Sequence, residues 1–456
     1  MKRNLATYFA LFSLVFVAIS CGSSDEEEYE FSPYAILKSF SLGNIRSAYP
    51  SFTSTGEDTL VLKTVQMTAF PFTINQVTGE VYNNDSLPFA TNVSKVVTQL
   101  SVNGVASIYV DSLDSYEHFS STDSLDFTSP RKVRIYSENA EFYKDYTIKI
   151  NVHQVNPELM VWNKYPAVEG LVPVRAIEAN GAMLLFGKDS SGVVTVASTA
   201  LEGVPAWEAA PVSGLPADAD LSTIQLFNGA LYAVAEGDIY TSADGAVWTL
   251  SASDTGAVAI VGASEEDGKL WVAGSLGVLW SEDGATFTVS EALPEGFPLY
   301  GVSLAAYPLN HNKNIIRYML VGYANEDKSG EPEVWSKLST ETKWTNYKNE
   351  ENKYECPALE GLAVVRYDDY LYAVGGAGTV DGREVAPLSS FYISKDNGIA
   401  WKVPTGFYQR LPEELVGDAS PFAVAVDSKN FIWIINSGTE GGAWKGIINR
   451  LGFVKR

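Results

Sequence analysis

A run of five mostly apolar residues recurs six times in the last two-thirds of the chain. It reads MLLFG from Met183, LYAVA from Leu231, LWVAG from Leu270, YMLVG from Tyr318, LYAVG from Leu371 and IWIIN from Ile432. Each run is too short for a helix, rich in strand formers and bounded by turn residues, which is how a buried β-strand reads. The starts lie 39 to 61 residues apart, about the length of one four-stranded unit, and a period of that size marks a repeat architecture. Six copies predict a six-bladed β-propeller over residues 158–456, with these runs as its inner strands. The short strand Leu159 to Trp162 belongs to no repeat. Because a propeller must close its ring, that strand is expected to supply the outer strand of the last blade, beside Ala443 to Ile448.

Upstream, the pattern changes to short alternations of apolar and polar residues. Examples are LVLKTVQM from Leu60, VVTQLSV from Val96, KVRI from Lys132 and YTIKINV from Tyr146; in the last, Tyr146, Ile148, Ile150 and Val152 share one face. Turn residues punctuate them every ~10–15 residues, as in an antiparallel sandwich. All ten tryptophans lie at or beyond Trp162, so composition shifts at the Asn156-Pro157 break. The fold class is therefore all-β, with a β-sandwich over 33–153 and the propeller after it. The sandwich resembles the immunoglobulin-like (Ig-like) modules near the N-terminus of many Bacteroidota surface lipoproteins.

A second motif follows the five-residue run. Ser242-Ala243-Asp244-Gly245 leads to Trp248, Ser281-Glu282-Asp283-Gly284 to Phe287, and Ser394-Lys395-Asp396-Asn397-Gly398 to Trp401. This resembles the Asp-box (BNR repeat), S-x-D-x-G-x-x-W; the first two copies are one residue shorter, and Ser336 to Trp344 is a degraded copy. Its physics is a hairpin in which Asp caps turn amides, Gly supplies a positive φ and the aromatic tucks between blades.

The first twenty residues pair a positive start, Lys2-Arg3, with an apolar stretch from Leu5 to Ile19, the size of a signal-peptide core and too short to span a bilayer. Ala18-Ile19-Ser20-Cys21 resembles a bacterial lipobox, which implies residues 1–20 as a signal peptide and Cys21 as the acylated first residue of the mature chain. Residues 21–32 form an acidic tether, GSSDEEE after the cysteine. That run is similar to the export signal of Bacteroidota surface lipoproteins and implies a lipid-anchored protein on the outer face of the outer membrane. Four tripeptides, Asp58-Thr59-Leu60, Asp85-Ser86-Leu87, Asp111-Ser112-Leu113 and Asp123-Ser124-Leu125, are similar to the O-glycosylation sequon of exported Bacteroidota proteins, with Thr59, Ser86, Ser112 and Ser124 as acceptors. Asp-Ser pairs are also ordinary turn formers.

The formal net charge is −23, which argues against nucleic acid as a partner. With Cys21 in the export signal, Cys356 has no intramolecular disulfide partner. His118, His153 and His311 are scattered, no metal-ligand spacing is present, and no cofactor motif is found. Asp boxes occur in sialidases, which raises an enzymatic reading. The F/Y-R-I-P motif is absent, and Arg175 and Arg366 share a repeat register, GLVPVR and GLAVVR, instead of forming a unique pair. No G-x-S-x-G elbow or P-loop occurs, and Glu265-Glu266-Asp267 sits in a hairpin as solvated turn residues. Most tryptophans have repeat positions; Trp162 and Trp207 stand outside them, and Tyr307 and Tyr408 are loop aromatics. The whole chain resembles a family of uncharacterised Bacteroidota surface lipoproteins with this layout. The expectation is a non-catalytic surface module or scaffold that binds a glycan or protein ligand, its membrane contact being the lipid on Cys21. The alternative is a glycan-active hydrolase or lyase using carboxylates at the propeller mouth. A plugged central channel would favour the former and a deep polar one the latter.

Overall fold

The computed structural model describes residues 31–52, 58–111, 113–348, 351–404, 408–438 and 441–453. The signal segment, Cys21, most of the acidic tether and Ser112 lie outside them. Two compact units emerge, one from residues up to 49 plus 60–154, the other from 155 onward plus 50–59.

In the first unit, a three-stranded sheet (Ile36–Leu42, Val96–Asn103, Ser124–Leu125) and a six-stranded sheet share one apolar core. The six-stranded sheet runs Phe72–Asn75, Glu80–Asn83, Tyr143–Lys149, Arg131–Tyr136, Val105–Val110, Ser115–His118. The alternation seen in the sequence is a real face: Val133, Ile135, Tyr146 and Ile148 are fully buried. The expected all-antiparallel arrangement is corrected at one place, because Glu80–Asn83 runs parallel to Tyr143–Lys149. A period of two reports one buried face and carries no information on neighbour direction. Leu60 and Leu62, in the strand Asp58–Val65, are exposed.

Among the described residues, the second unit contains six blade sheets and one small extra sheet. In the first, Leu171–Ala179, Ala182–Asp189, Val194–Ala200 and Glu208–Pro211 pair antiparallel in chain order. The second, third and fourth begin at Gln225–Phe227, Ala257–Ser264 and Tyr300–Leu309 and repeat that pattern. The fifth has Ala363–Tyr367, Tyr370–Val374 and Tyr392–Ser394, with a single Ile393–Lys402 bridge where a fourth strand would run. The sixth has Phe422–Val426, Ile432–Asn436 and Gly442–Ile448, completed by Met160–Pro166, which pairs from Met160–Ile448 through to Pro166–Gly442. The first strand of each blade contacts the first strand of the next, and the sixth returns to the first, so the ring is closed.

The five-residue runs are the second strand of each blade, one position outward from the strands lining the axis. The reason is packing. Six apolar clusters fill the six seams between blades. Met183 and Leu185 enter the seam with blade six, while Leu184 and Phe186 enter the seam with blade two. A second strand has both faces covered and both edges paired, so it reads as a continuous apolar run; an axial strand has one edge at the channel and reads as mixed.

Candidate functional site

The Ser-Asp-Gly hairpins connect third and fourth strands. In the first, Gly245 N donates to Ser242 Oγ (2.9 Å), and Ala246 N and Val247 N donate to Asp244 Oδ1 (2.9 and 3.0 Å). Ser281, Asp283 and Gly284 repeat the arrangement, with Ala285 N and Thr286 N at 2.9 and 2.7 Å. In the third, Gly398 N reaches Ser394 Oγ and Ala400 N reaches Asp396 Oδ1, each at 2.8 Å. In the first two hairpins these donors hold the carboxyl in its charged form: Asp244 lies below the ordinary carboxylate range, and Asp283 falls to about 2, chiefly through the Thr286 and Ala285 amides. The glycines have φ of 83°, 70° and 84°. A Cβ on Gly284 would fall 2.3 Å from the Tyr232 ring, and one on Gly398 would fall 2.9 Å from Met319. Each hairpin thus backs onto the preceding blade. Trp248 and Trp401 are buried in seams, their indoles bonded to Gly245 O and Gly398 O (2.8 and 3.0 Å); Phe287 is half-buried. The twelve motif residues are therefore set at the outer part of the blades and hold turns and seams together.

The axis is filled. A 3-10 turn, Leu221–Thr223, contacts the first strands of blades one, three and four. Blades one and four face each other across a six-membered ring, so a turn touching both spans the channel. Leu221, Thr223 and Ile224 are buried, and Asp220 caps the turn by accepting from Ser222 N (2.9 Å). Arg175, on the axial strand of blade one, donates Nε to Ile224 O (3.2 Å). Burial pushes its guanidinium down to about 10, partly opposed by Asp220. Arg366, in the same register of blade five, instead bonds Asp369 at 2.6 Å.

An open cleft of about 890 Å³ lies at the seam of blades four and five, lined by Glu331, Tyr354, Glu355, Asp381 and Lys402. The segment carrying Tyr354 is pinned to blade five by Trp401 N to Tyr354 O (2.9 Å) and by Asn352 Nδ2 to Ile399 O (2.6 Å). A small sheet of Ala358–Leu359, Gly378–Val380 and Arg383–Val385 forms its wall. Tyr354 is 51% exposed, with Lys402 Nζ 4.1 Å from its ring centroid. The Glu355 carboxyl is raised by burial, by a hydrogen bond with Glu331 and by the charges of Glu331 and Glu333, which Lys348 partly offsets. Cys356 is buried, and burial pushes its thiol up. Apart from Lys402, which follows the hairpin residue Trp401, none of these residues stands in a repeat register. The one sequence signal for them was length: the intervals from Tyr318 to Leu371 and from Leu371 to Ile432 are the longest of the six-fold pattern.

Other expected positions fall elsewhere. Ser124 is exposed at the end of a short strand, and Thr59 and Ser86 are half-buried. Trp162 stacks on Phe391, and Trp207 meets Trp433 edge-on. Tyr307, expected in a loop, lies near the end of the axial strand of blade four and is buried. Of the acidic triplet, Asp267 is not simply solvated: it accepts from the Tyr318 hydroxyl of blade four and pairs with Lys269 at 3.5 Å. Among the described residues, no His/Cys/Asp/Glu group could hold a metal ion, and no helix is long and apolar enough to cross a membrane.

Part of the chain is similar to solved structures. The α-L-arabinofuranosidase Arb93A of Fusarium graminearum matches with 11% identity over 63% of this chain and 97% of its own, at a TM-score of 0.35. The α-L-arabinanase of Penicillium chrysogenum matches with 11% identity over 63% and 96%, also at 0.35. AofleA of Arthrobotrys oligospora matches with 12% identity over 63% and 86%, at 0.34. No curated relative matches the chain. Residues 156–456 match the DUF6242 beta propeller domain, and residues 40–150 match the N-terminal domain of unknown function of the same family. The protein belongs to the DUF6242 family, with its β-propeller as the C-terminal domain.

Proposed function

We propose that this chain is a non-catalytic binding module that takes a glycan at the cleft between blades four and five. The observation that carries this reading is the filled axis: Leu221–Thr223 occupies the channel, while the open cavity of about 890 Å³ lies at a seam. The half-exposed Tyr354 ring offers a stacking face for a sugar, and the carboxyls of Glu331 and Glu355 accept from hydroxyls. The alternative, a hydrolase, needs two carboxyls separated by at least ~5 Å to flank a glycosidic bond. Release of shortened products therefore separates the two readings.

The serine-aspartate hairpins act in this reading as Asp boxes with an architectural role, and the first unit acts as an Ig-like spacer. The lipobox-like segment at Cys21 and the acidic run behind it support lipid anchoring and display on the outer membrane. The test is a glycan array on the soluble mature chain beginning after Cys21. Capture of one glycan class without release of shortened products fits the proposal. Time-dependent release of reducing ends supports the hydrolase instead.

A further inference from the structure

The blade four–five seam holds a second polar cluster. Tyr307 and Arg317 are direct antiparallel partners on the first two strands of blade four. Arg317 Nη1 donates to Tyr347 Oη (3.0 Å) and Ser336 Oγ (3.3 Å), while its Nε is buried without a hydrogen-bond partner. None of the ion pairs among the described residues involves Arg317. From blade five, Arg366 lays its guanidinium 4.5 Å from the Tyr307 ring centroid. Its partner is Asp369, a largely exposed carboxylate, at 2.6 Å. The Tyr307 hydroxyl donates to Asn397 Oδ1 (2.8 Å). Burial raises the Tyr307 pKa, and the charges of both Arg317 and Arg366 oppose that rise; two cations from two blades thus flank one phenol.

This is also the blade whose hairpin lost its motif. In the other three copies the serine hydroxyl serves the turn, bonded to an aspartate and a glycine amide. In blade four Ser336 is followed by Lys337-Leu338-Ser339, and its hydroxyl accepts from Arg317 instead. A structural staple has been replaced by a half-buried cation with no counter-charge. Such a group is costly unless an anion meets it, and a planar guanidinium is suited to oxyanions.

We propose that Arg317 and Arg366 form an anion subsite for an acidic sugar, recognising an oxyanion substituent, either a carboxylate or a sulfate ester. The subsite rests on the glycan-binding reading and assigns a charge class to the ligand. The test is calorimetric titration of the soluble mature chain with D-glucuronate, D-glucose 6-sulfate and D-glucose at matched ionic strength. One or both anionic sugars should bind at least about tenfold more tightly than glucose, as expected for charge-assisted hydrogen bonds, and added salt should weaken them. Which anion binds separates carboxylate from sulfate. Arg317→Gln and Arg366→Gln should each cost about tenfold, while Lys429→Gln, a surface charge on blade six, should cost nothing. Arg366 is the more exposed of the two, so its variant serves if Arg317→Gln folds poorly. If neither anion binds better than glucose, or both arginine variants bind as the native chain does, the subsite is wrong. Capture of neutral glycans dependent on Tyr354 would then leave the cleft reading standing without it.

Discussion

Replacing Trp401 by alanine isolates what one hairpin contributes to the ring. The indole is 3% exposed and packs in the seam with Tyr323, Val334, Leu371 and Tyr392. A tryptophan buries up to about 250 Å², and at about 25 cal/mol per Å² that area sets an upper bound of about 6 kcal/mol. Partial collapse of the seam reduces the cost to about 3–5 kcal/mol. The lost indole bond to Gly398 O falls within that range. Asp396→Ala removes the acceptor for Ala400 N from a partly solvated turn, and should cost about 1–2 kcal/mol. Urea unfolding of the mature chain, followed by tryptophan fluorescence and far-ultraviolet circular dichroism, gives both values. A Trp401→Ala cost below about 1 kcal/mol, or no larger than that of Asp396→Ala, would refute the view that the aromatic anchors the hairpin between blades. A variant that melts like the native chain yet loses glycan binding would show that the hairpin carries function.

Acid should loosen the hairpins in a defined window. Asp283 has a folded pKa of about 2 against an ordinary 3.8, so its contribution is present above about pH 4 and is lost as pH falls toward 2; Asp283→Asn should flatten the stability profile there in pH-dependent unfolding. Cys21→Ala should move the protein from the membrane to the soluble fraction, and protease added to intact cells should remove the native form; survival until the outer membrane is permeabilised would contradict surface display. Mass spectrometry of the native protein should find glycans on Thr59, Ser86, Ser112 or Ser124, with exposed Ser124 the most accessible of the described three; unmodified peptides over all four sites would refute modification.

The propeller was legible because its strongest signal arises from symmetry. Leu184, Tyr232, Trp271 and Met319 occupy the same position in successive blades and meet the same packing demand, each entering the seam with the following blade. The closing strand could be read because Leu159 to Trp162 had no repeat of its own, and it pairs with Gly442–Ile448. The radial position of the runs was less legible, since burial on both faces looks alike for any interior strand. The parallel pair in the first unit was hidden for a similar reason: Val81 and Ile148 alternate identically whichever way their neighbour runs. The cleft escaped because Glu331, Tyr354 and Glu355 come from connections that break the repeat, and side chains from separate loops converge only once the seam forms. Arg317 was present as an unremarkable strand residue; the loss of the hairpin motif beside it was visible, but the second arginine arrives from another blade.

The central claim is that the ligand binds at the seam and not on the axis. The most direct measurement is titration of the captured glycan into the Tyr354→Ala variant, with the fold checked by circular dichroism. The account predicts at least about a tenfold loss of affinity, the scale of one stacking contact and its desolvated surroundings, with unfolding unchanged because Tyr354 is half exposed. Undiminished binding by Tyr354→Ala, combined with loss of binding when Leu221 is replaced by aspartate in a folded chain, would place the ligand at the axis and contradict the account.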